Sequence, residues 1–399
     1  MSYNSLYKLY YKDKKIYETT YNNRISSENT IKFNFKIHNN DAFMFMHKDI
    51  ISLVTNITVL DKKVGQLLNS LPALAKKQYL KKSLIDEIVY TNEIEGIIST
   101  RKQINEMIND IECKVEKKER FSSLVQKYML LMEDKFKELT SPNDIREIYN
   151  ELVLDEIILE DINDIPDGVI FRAKQVEVKS KTGKVLHEGV VPESSIISMI
   201  SQAINIINDE SIDPLIRISI FHYVFSYVHP FYDGNGRTNR YISSLYLKTQ
   251  FEPIVAYRLS LTIKENIKQY YNAFEQTNSK NNLGDISTFV YEFLEIIYKS
   301  FKLTIEYLEK KKAQLHSFKI LIDELQLERI SNEMLYVLAQ VELFSGTEMS
   351  AQQIGKVLGI SRPTCAKFIK ELYDANLLIS FKEGNLNLYR INIEKFNIV

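Results

Sequence analysis

Residues 229–240 read HPFYDGNGRTNR. Immediately upstream, Ile216, Ile220, Val224 and Val228 recur at helical spacing, which predicts a buried helix from about Pro214 to Val228. His229-Pro230 should end it, because proline disfavours the helical conformation in the residue before it. A second helix is expected to start near Gly236 and run past Leu247. The segment therefore reads as a loop feeding a helix N-terminus. Gly234 and Gly236 let backbone come close to a ligand. The free N–H groups and dipole of the helix start favour an anion. Arg237 and Arg240, three apart, share one face of the first turn. Cations there oppose the helix dipole, and a polyphosphate would relieve that penalty while accepting bidentate contacts. Asp233 is suited to Mg²⁺, which binds through one or two carboxylates plus phosphate oxygens. Asn235 can donate to a phosphate oxygen, and His229 is a candidate general base. Singly, these features read as a cap, a turn or a solvated face; together they point to phosphate handling.

Working outward, residues 169–187 (VIFRAKQVEVKSKTGKVLH) change character. VIF and VEV are strand-like and Lys181-Thr182-Gly183-Lys184 is a turn signal, so a hairpin is expected over 169–191. Residues 41–160 read as helical, with few glycines and prolines, and residues 30–37 (TIKFNFKI) as a strand. Helical patterns resume at Ser194 and continue from about Thr262 to Gln326. Near the C-terminus, Ser350-Ala-Gln-Gln353 is a capping-box start, Gly359-Ile360 a turn, and Ser361 the start of a second helix. LLISF, a Lys-Glu-Gly-Asn turn and LNLYRI follow as a hairpin, which makes a winged-helix pattern.

The 399 residues are 45% hydrophobic, which excludes a disordered or fibrous chain and allows two or three domains. A net charge of -1 argues against a dominant nucleic-acid or acidic-membrane partner. Over residues 331–399, seven basic residues meet seven acidic ones, weak for phosphate-backbone binding, although Arg362, Thr364, Lys367 and Lys370 fall on the expected recognition helix. Only two cysteines, Cys113 and Cys365, fit a reducing cytoplasm. The N-terminus has no apolar region of a secretory signal, and no run approaches the roughly 18–20 apolar residues of a membrane span.

Residues 229–240 match the Fic family motif, HPFx[D/E]GNGRxxR, at every defined position, and the chain resembles that family over roughly residues 41–300. The resemblance implies a mainly α fold: a Fic-type helical core with a β-hairpin flap, here joined to a C-terminal winged-helix domain. The expected division is 1–40, an extension with a strand; 41–165, a helical region; 166–300, the catalytic core; 301–330, a linker helix; and 331–399, the winged helix. The implied activity is transfer of AMP from ATP to a Ser, Thr or Tyr hydroxyl of a protein, with Mg²⁺ or Mn²⁺. By motif match, His229 would deprotonate the attacking hydroxyl, and Asp233 would hold the metal. Gly234, Asn235 and Gly236 would cradle phosphates; Arg237 and Arg240 would hold the β- and γ-phosphates; Thr238 and Asn239 complete the ATP-binding segment; and Phe231 would anchor the loop in the core.

Upstream, Thr91-Asn-Glu-Ile-Glu95-Gly96 resembles the inhibitory motif [S/T]xxxE[G/N] of one class of the family. In that class the Glu pairs with the second motif arginine, here Arg240, which implies auto-inhibition by Thr91, Glu95 and Gly96. The flap would cover the nucleotide with Lys184, Val185, Leu186 and His187, although HEGVVP departs from the frequent H-x-P-P pattern. Tyr270, Tyr271 and Asn278 would contact the nucleoside. Removal of AMP with Glu95 positioning a water, transfer of another phosphate-containing group, and an ATP-sensing winged-helix DNA-binding regulator remain alternatives. The target protein is unidentified; self-modification, a homodimer and DNA binding stay open, and no membrane partner is expected.

Overall fold

The computed structural model describes residues 3–115, 119–179, 185–384 and 386–396. In chain order it forms α1 (Leu6–Lys12), α2 (Lys14–Ile25), β1 (Thr30–Ile37), β2 (Asn40–Phe45), α3 (Lys48–Asn69), α4 (Ala73–Ile94), α5 (Arg101–Glu112), α6 (Ser122–Met132) and α7 (Pro142–Tyr149). A π-helical turn, Asn150–Leu154, leads into α8 (Asp155–Glu160). Then come β3 (Glu177–Lys179), β4 (Val185–Glu188), α9 (Glu193–Ile207), α10 (Pro214–Val228), α11 (Asn235–Gln250), α12 (Pro253–Ala256), α13 (Leu259–Glu265), α14 (Ile267–Thr277) and α15 (Ser287–Glu324). The chain closes with α16 (Arg329–Phe344), β5 (Met349–Ser350), α17 (Ala351–Leu358), α18 (Arg362–Asp374), β6 (Leu378–Glu383) and β7 (Leu386–Ile391). The fold is mainly α, as expected. Its residues fall into two compact units, Met1–Asp61 with Leu84–Phe301, and Lys62–Ser83 with Lys302–Val399.

The first unit is built around α10. This helix is mostly apolar around its circumference and buried from Leu215 nearly to its end, with Arg217, Ser219 and His222 buried among its apolar side chains. Asp213 caps it by accepting from the Leu215 amide at 2.9 Å, and Pro214 occupies the first turn, where no N–H partner is needed. It ends at His229, which turns left-handed (φ 52°) ahead of Pro230. It packs against α9 and α11, and α11 starts at Asn235, one residue before the expected Gly236.

Two local expectations are corrected. Residues 41–45 are strand, not helix: β2 pairs antiparallel with β1 and Phe43 also bridges Asp285. Ala42, Phe43 and Met44 are all buried, so β2 lacks the alternation by which a strand is recognised. The hairpin expected over 169–191 is shorter, with pairing limited to β3 and β4. The amides of Val169, Ile170 and Phe171 instead donate to the Glu193 carboxylate at 3.0, 2.7 and 2.8 Å, so they form no ladder. The expected turn at 181–184, with Lys184, lies outside the described residues.

In the second unit, Ser350 and Gln353 form the capping box that starts α17. Gly359 supplies the left-handed end (φ 66°), and Ser361 caps α18. The strands form one sheet in the order β5-β7-β6, and Ile354, Cys365, Phe368, Leu372 and Ile391 are buried in this unit.

Candidate active site

The loop between α10 and α11 is fixed from three sides. Arg172, fully buried, donates from Nε to the His229 carbonyl (2.8 Å) and from Nη2 to the carbonyls of Val190 (2.9 Å) and Val228 (3.2 Å). A guanidinium at the C-terminus of α10 satisfies orphan carbonyls and opposes the negative end of the dipole. Phe231 is buried and stacks on Tyr149, with ring centroids 3.7 Å apart. Asn235 folds back over the loop: it accepts from the Phe231 amide (3.0 Å) and donates to the Phe231 carbonyl (2.8 Å). The Asn235 side chain therefore braces the loop through the Phe231 backbone. Gly234 adopts φ 75°, and a Cβ there would lie 2.8 Å from Val153 Cγ2. Conformation and space both require glycine.

His229 stands half-buried at the mouth of this loop. Burial, reinforced by His187 and Arg172 nearby, pushes its pKa down to about 4, against the opposing effects of Ser226 and Asp233. The imidazole is thus neutral at pH 7 and free to accept a proton.

At the other end of the loop, two buried arginines face different partners. Arg237 donates from Nη1 to Glu156 Oε2 at 2.7 Å, and its Nη2 lies 3.6 Å from Asp233 Oδ2. Among the described residues, Nε and Nη2 of Arg237 have no hydrogen-bond partner. Arg240 donates from Nε to Thr91 Oγ1 (2.9 Å) and from Nη2 to the Thr91 carbonyl (2.9 Å) and Glu95 Oε1 (2.7 Å). Glu95 also presses on the start of α11: a Cβ on Gly236 would lie 2.0 Å from Glu95 Oε1. A carboxylate thus sits against the helix turn where an anion is favoured. Gly96, at φ 81°, turns the chain away after α4.

Other expected site residues divide. Asn239 is buried and donates to the His222 carbonyl (2.8 Å) and Ser226 Oγ (2.9 Å), so it joins α11 to α10 and does not face the loop's anion end. Thr238 is fully buried beside it. Tyr270 is buried with its hydroxyl 2.7 Å from His222 Nε2, inside an aromatic cluster with Phe274 and Phe289. Burial holds His222 neutral, its pKa lowered to about 3. Tyr271 is 48% exposed and close enough to Glu95 and Arg240 to feel both charges. Asn278 accepts from the Tyr223 hydroxyl (2.7 Å), and its carbonyl accepts from His38 Nε2 (2.6 Å). Val185, Leu186 and His187 lie on β4, and His187 Nε2 donates to the Tyr227 carbonyl at 2.5 Å. Glu156, Glu193 and Tyr149 were missed by sequence reasoning, since each acts through a contact more than twenty residues away. In the second unit, Lys367 lies 3.6 Å from Glu371, and Arg390 pairs with Glu342 and Glu348.

Among the described residues, no group of three or more His, Cys, Asp or Glu is placed to hold a metal. The side chain of Asp233 is 44% exposed. One accessible carboxylate suits Mg²⁺, which takes most of its remaining ligands from water and phosphate.

Residues 139–247 match the model of the Fic/DOC family. The chain is 34% identical over 143 residues to the protein adenylyltransferase fic-1 of Caenorhabditis elegans, covering 34% of this chain and 26% of that protein. It is 24% identical over 242 residues to the protein adenylyltransferase Fic of Nematostella vectensis, covering 58% and 51%. The chain thus spans about a quarter to a half of the length of these curated relatives. A crystal structure of a Fic family protein from Desulfovibrio desulfuricans G20 superposes with a TM-score of 0.51 at 18% identity, covering 87% of this chain and 97% of that one. The motif loop between α10 and α11 lies within residues 139–247, so the part of the chain that matches the Fic/DOC family model is the part that builds this site, and the fold around it is similar to that of a Fic family protein.

Proposed function

We propose that this chain transfers AMP from ATP to a hydroxyl side chain of a protein, and that Glu95 holds it inactive at rest. The observation that carries the reading is the pairing of Arg240 with both Thr91 and Glu95, with the Glu95 carboxylate seated against Gly236. The similarity to proteins named protein adenylyltransferases supports the transfer itself.

In this mechanism the hydroxyl oxygen attacks the α-phosphorus in line. A new O–P bond forms, the bond from the α-phosphorus to the bridging oxygen breaks, and pyrophosphate leaves. His229, neutral at physiological pH, takes the hydroxyl proton. The N-terminal amides of α11 and the free edge of Arg237 hold the polyphosphate. Asp233 would hold Mg²⁺ or Mn²⁺, which when bound neutralises phosphate charge. Arg240 reaches the γ-phosphate only after Glu95 leaves it. Arg240 is buried while the Glu95 side chain is partly exposed, so a phosphate that displaces Glu95 must replace its charge-assisted contact with the guanidinium. Tyr271, Asn278 and β4 would line the nucleoside side.

The test is labelling with α-³²P-ATP and Mg²⁺ in a cell lysate. Glu95→Gly should transfer label to protein, wild type much less, and His229→Ala none. No label from any of the three would overturn the transfer; wild type as active as Glu95→Gly would overturn the inhibition.

A further inference from the structure

Arg237 is fully buried, yet only one of its nitrogens is engaged at hydrogen-bond distance: Nη1 on Glu156, at 2.7 Å. A buried guanidinium without a counter-charge is costly, and its direction is set by whatever fork partner it has. Glu156 is its hydrogen-bonded partner, and Asp233, 3.6 Å from Nη2, is a longer-range one. Glu156 is itself buried, and its second oxygen accepts from Arg120 Nη2 at 3.1 Å. The carboxylate is thereby held on two sides, one oxygen on Arg237 and the other on Arg120. Its carrier includes the π-helical turn Asn150–Leu154, a winding that is rare and concentrated at functional sites. The same carrier touches the loop elsewhere: Tyr149 stacks on Phe231, and Val153 and Ile157 close the space beside Gly234. One helical segment therefore backs the whole phosphate loop, and Glu156 is its charged contact.

From this geometry we infer that Glu156 is a positioning residue: it pins Nη1 of Arg237 so that the Nε–Nη2 edge is presented to a non-α phosphate of the nucleotide. Glu156 does not touch the nucleotide. The inference rests on the nucleotide reading of the site given above. It predicts an effect confined to ligands that carry a β-phosphate, and one that operates only through Arg237.

The experiment measures Mg²⁺-dependent binding of ATP, ADP and AMP by calorimetry, and KM and kcat for ATP, in the Glu95→Gly protein. Glu156→Gln keeps the shape and an acceptor but removes the charge. It should weaken ATP and ADP roughly tenfold, as expected for a charge-assisted contact put out of line, and leave AMP unchanged. KM should rise more than kcat falls. In an Arg237→Gln background the same substitution should have no further effect. Equal loss for ATP, ADP and AMP, additivity with Arg237→Gln, or unchanged ATP binding would each overturn the inference. If Glu156→Gln does not fold, Arg120→Ala, at a half-exposed side chain, loosens the same carboxylate and should give a smaller loss of the same pattern. If the Glu95→Gly protein itself binds no ATP, the nucleotide reading falls and this inference with it. If it binds ATP but Glu156→Gln matches it, only the positioning role falls.

Discussion

Glu95 and Arg240 are 145 residues apart in sequence and 2.7 Å apart in space. At the residue scale, that contact and the state of His229 set what the site can do. Because burial lowers the His229 pKa to about 4, the imidazole is already neutral at pH 6.5, where an ordinary histidine is half protonated. A general base works only when deprotonated, so activity is retained as pH falls and is lost on passing below the lowered pKa. The kcat/KM of the Glu95→Gly protein for ATP should stay level from pH 8 to pH 5 and fall only near pH 4. An acidic limb centred near pH 6.5 would assign the base to another group. The sequence named His229, Glu95 and Arg240 because the motif spacing carries them. It did not show that the Asn235 side chain braces the Phe231 backbone, a contact that only the folded loop creates.

At the scale of elements, the α10–loop–α11 unit was legible in its neighbourhood. Proline at each end of α10 and apolar residues at helical spacing mark that helix, and the glycines mark the next. What stands behind the loop was not legible. The segment from α7 through the π-helical turn to α8 reads as an ordinary acidic helix, and only packing reveals Tyr149, Val153 and Glu156 against the loop. This backing makes Gly234 the sensitive point. Gly234→Ala must adopt a left-handed backbone and drive a methyl to 2.8 Å from Val153 and 3.2 Å from Ile157 and Tyr149. Strain and overpacking together should destabilise the protein by about 2–4 kcal/mol, read from urea unfolding. A change below about 0.5 kcal/mol would mean that the loop is not clamped as described. The segment at 169–171 shows the opposite error: its residues favour a strand, but Glu193 takes their amides before any ladder can form.

Two buried carboxylates act on the whole molecule through its stability. Glu87 is fully buried, and its pKa is pushed up to about 7 by burial, against hydrogen bonds from the Ser260 amide (2.7 Å) and hydroxyl (2.5 Å) and the attraction of Arg240 and Arg258. A raised folded-state pKa means that the native state binds the proton more tightly than the unfolded chain. The associated stability is present below about pH 4.5 and is lost as pH rises through about 7, by up to roughly 3 kcal/mol. Asp144 runs the other way. Burial alone would raise its pKa, but Lys137, Thr140 and Ser141 outweigh that and lower it, so its contribution is present above the ordinary carboxylate range and lost in stronger acid. His222 and His229, kept neutral by burial, act against Glu87 below about pH 6.5, so Glu87→Gln should remove a downward component from the profile of unfolding free energy between about pH 4.5 and 7. Parallel pH profiles for wild type and Glu87→Gln would exclude Glu87 as its source.

The sequence by itself determined the chemistry-bearing loop, the helix it follows, the helix it opens and the existence of a distant glutamate at the right spacing. These are local matters: periodicity, proline and glycine fix backbone, and a short motif fixes residue types. Only the tertiary structure decided which of those side chains are taken up by neighbours. Asn235 and Asn239 turned inward because buried backbone and hydroxyl groups needed partners, and Arg237 kept a free edge because Glu156 holds the other. Hydrogen-bond satisfaction in a closed interior is a property of the whole arrangement, and no window of sequence contains it.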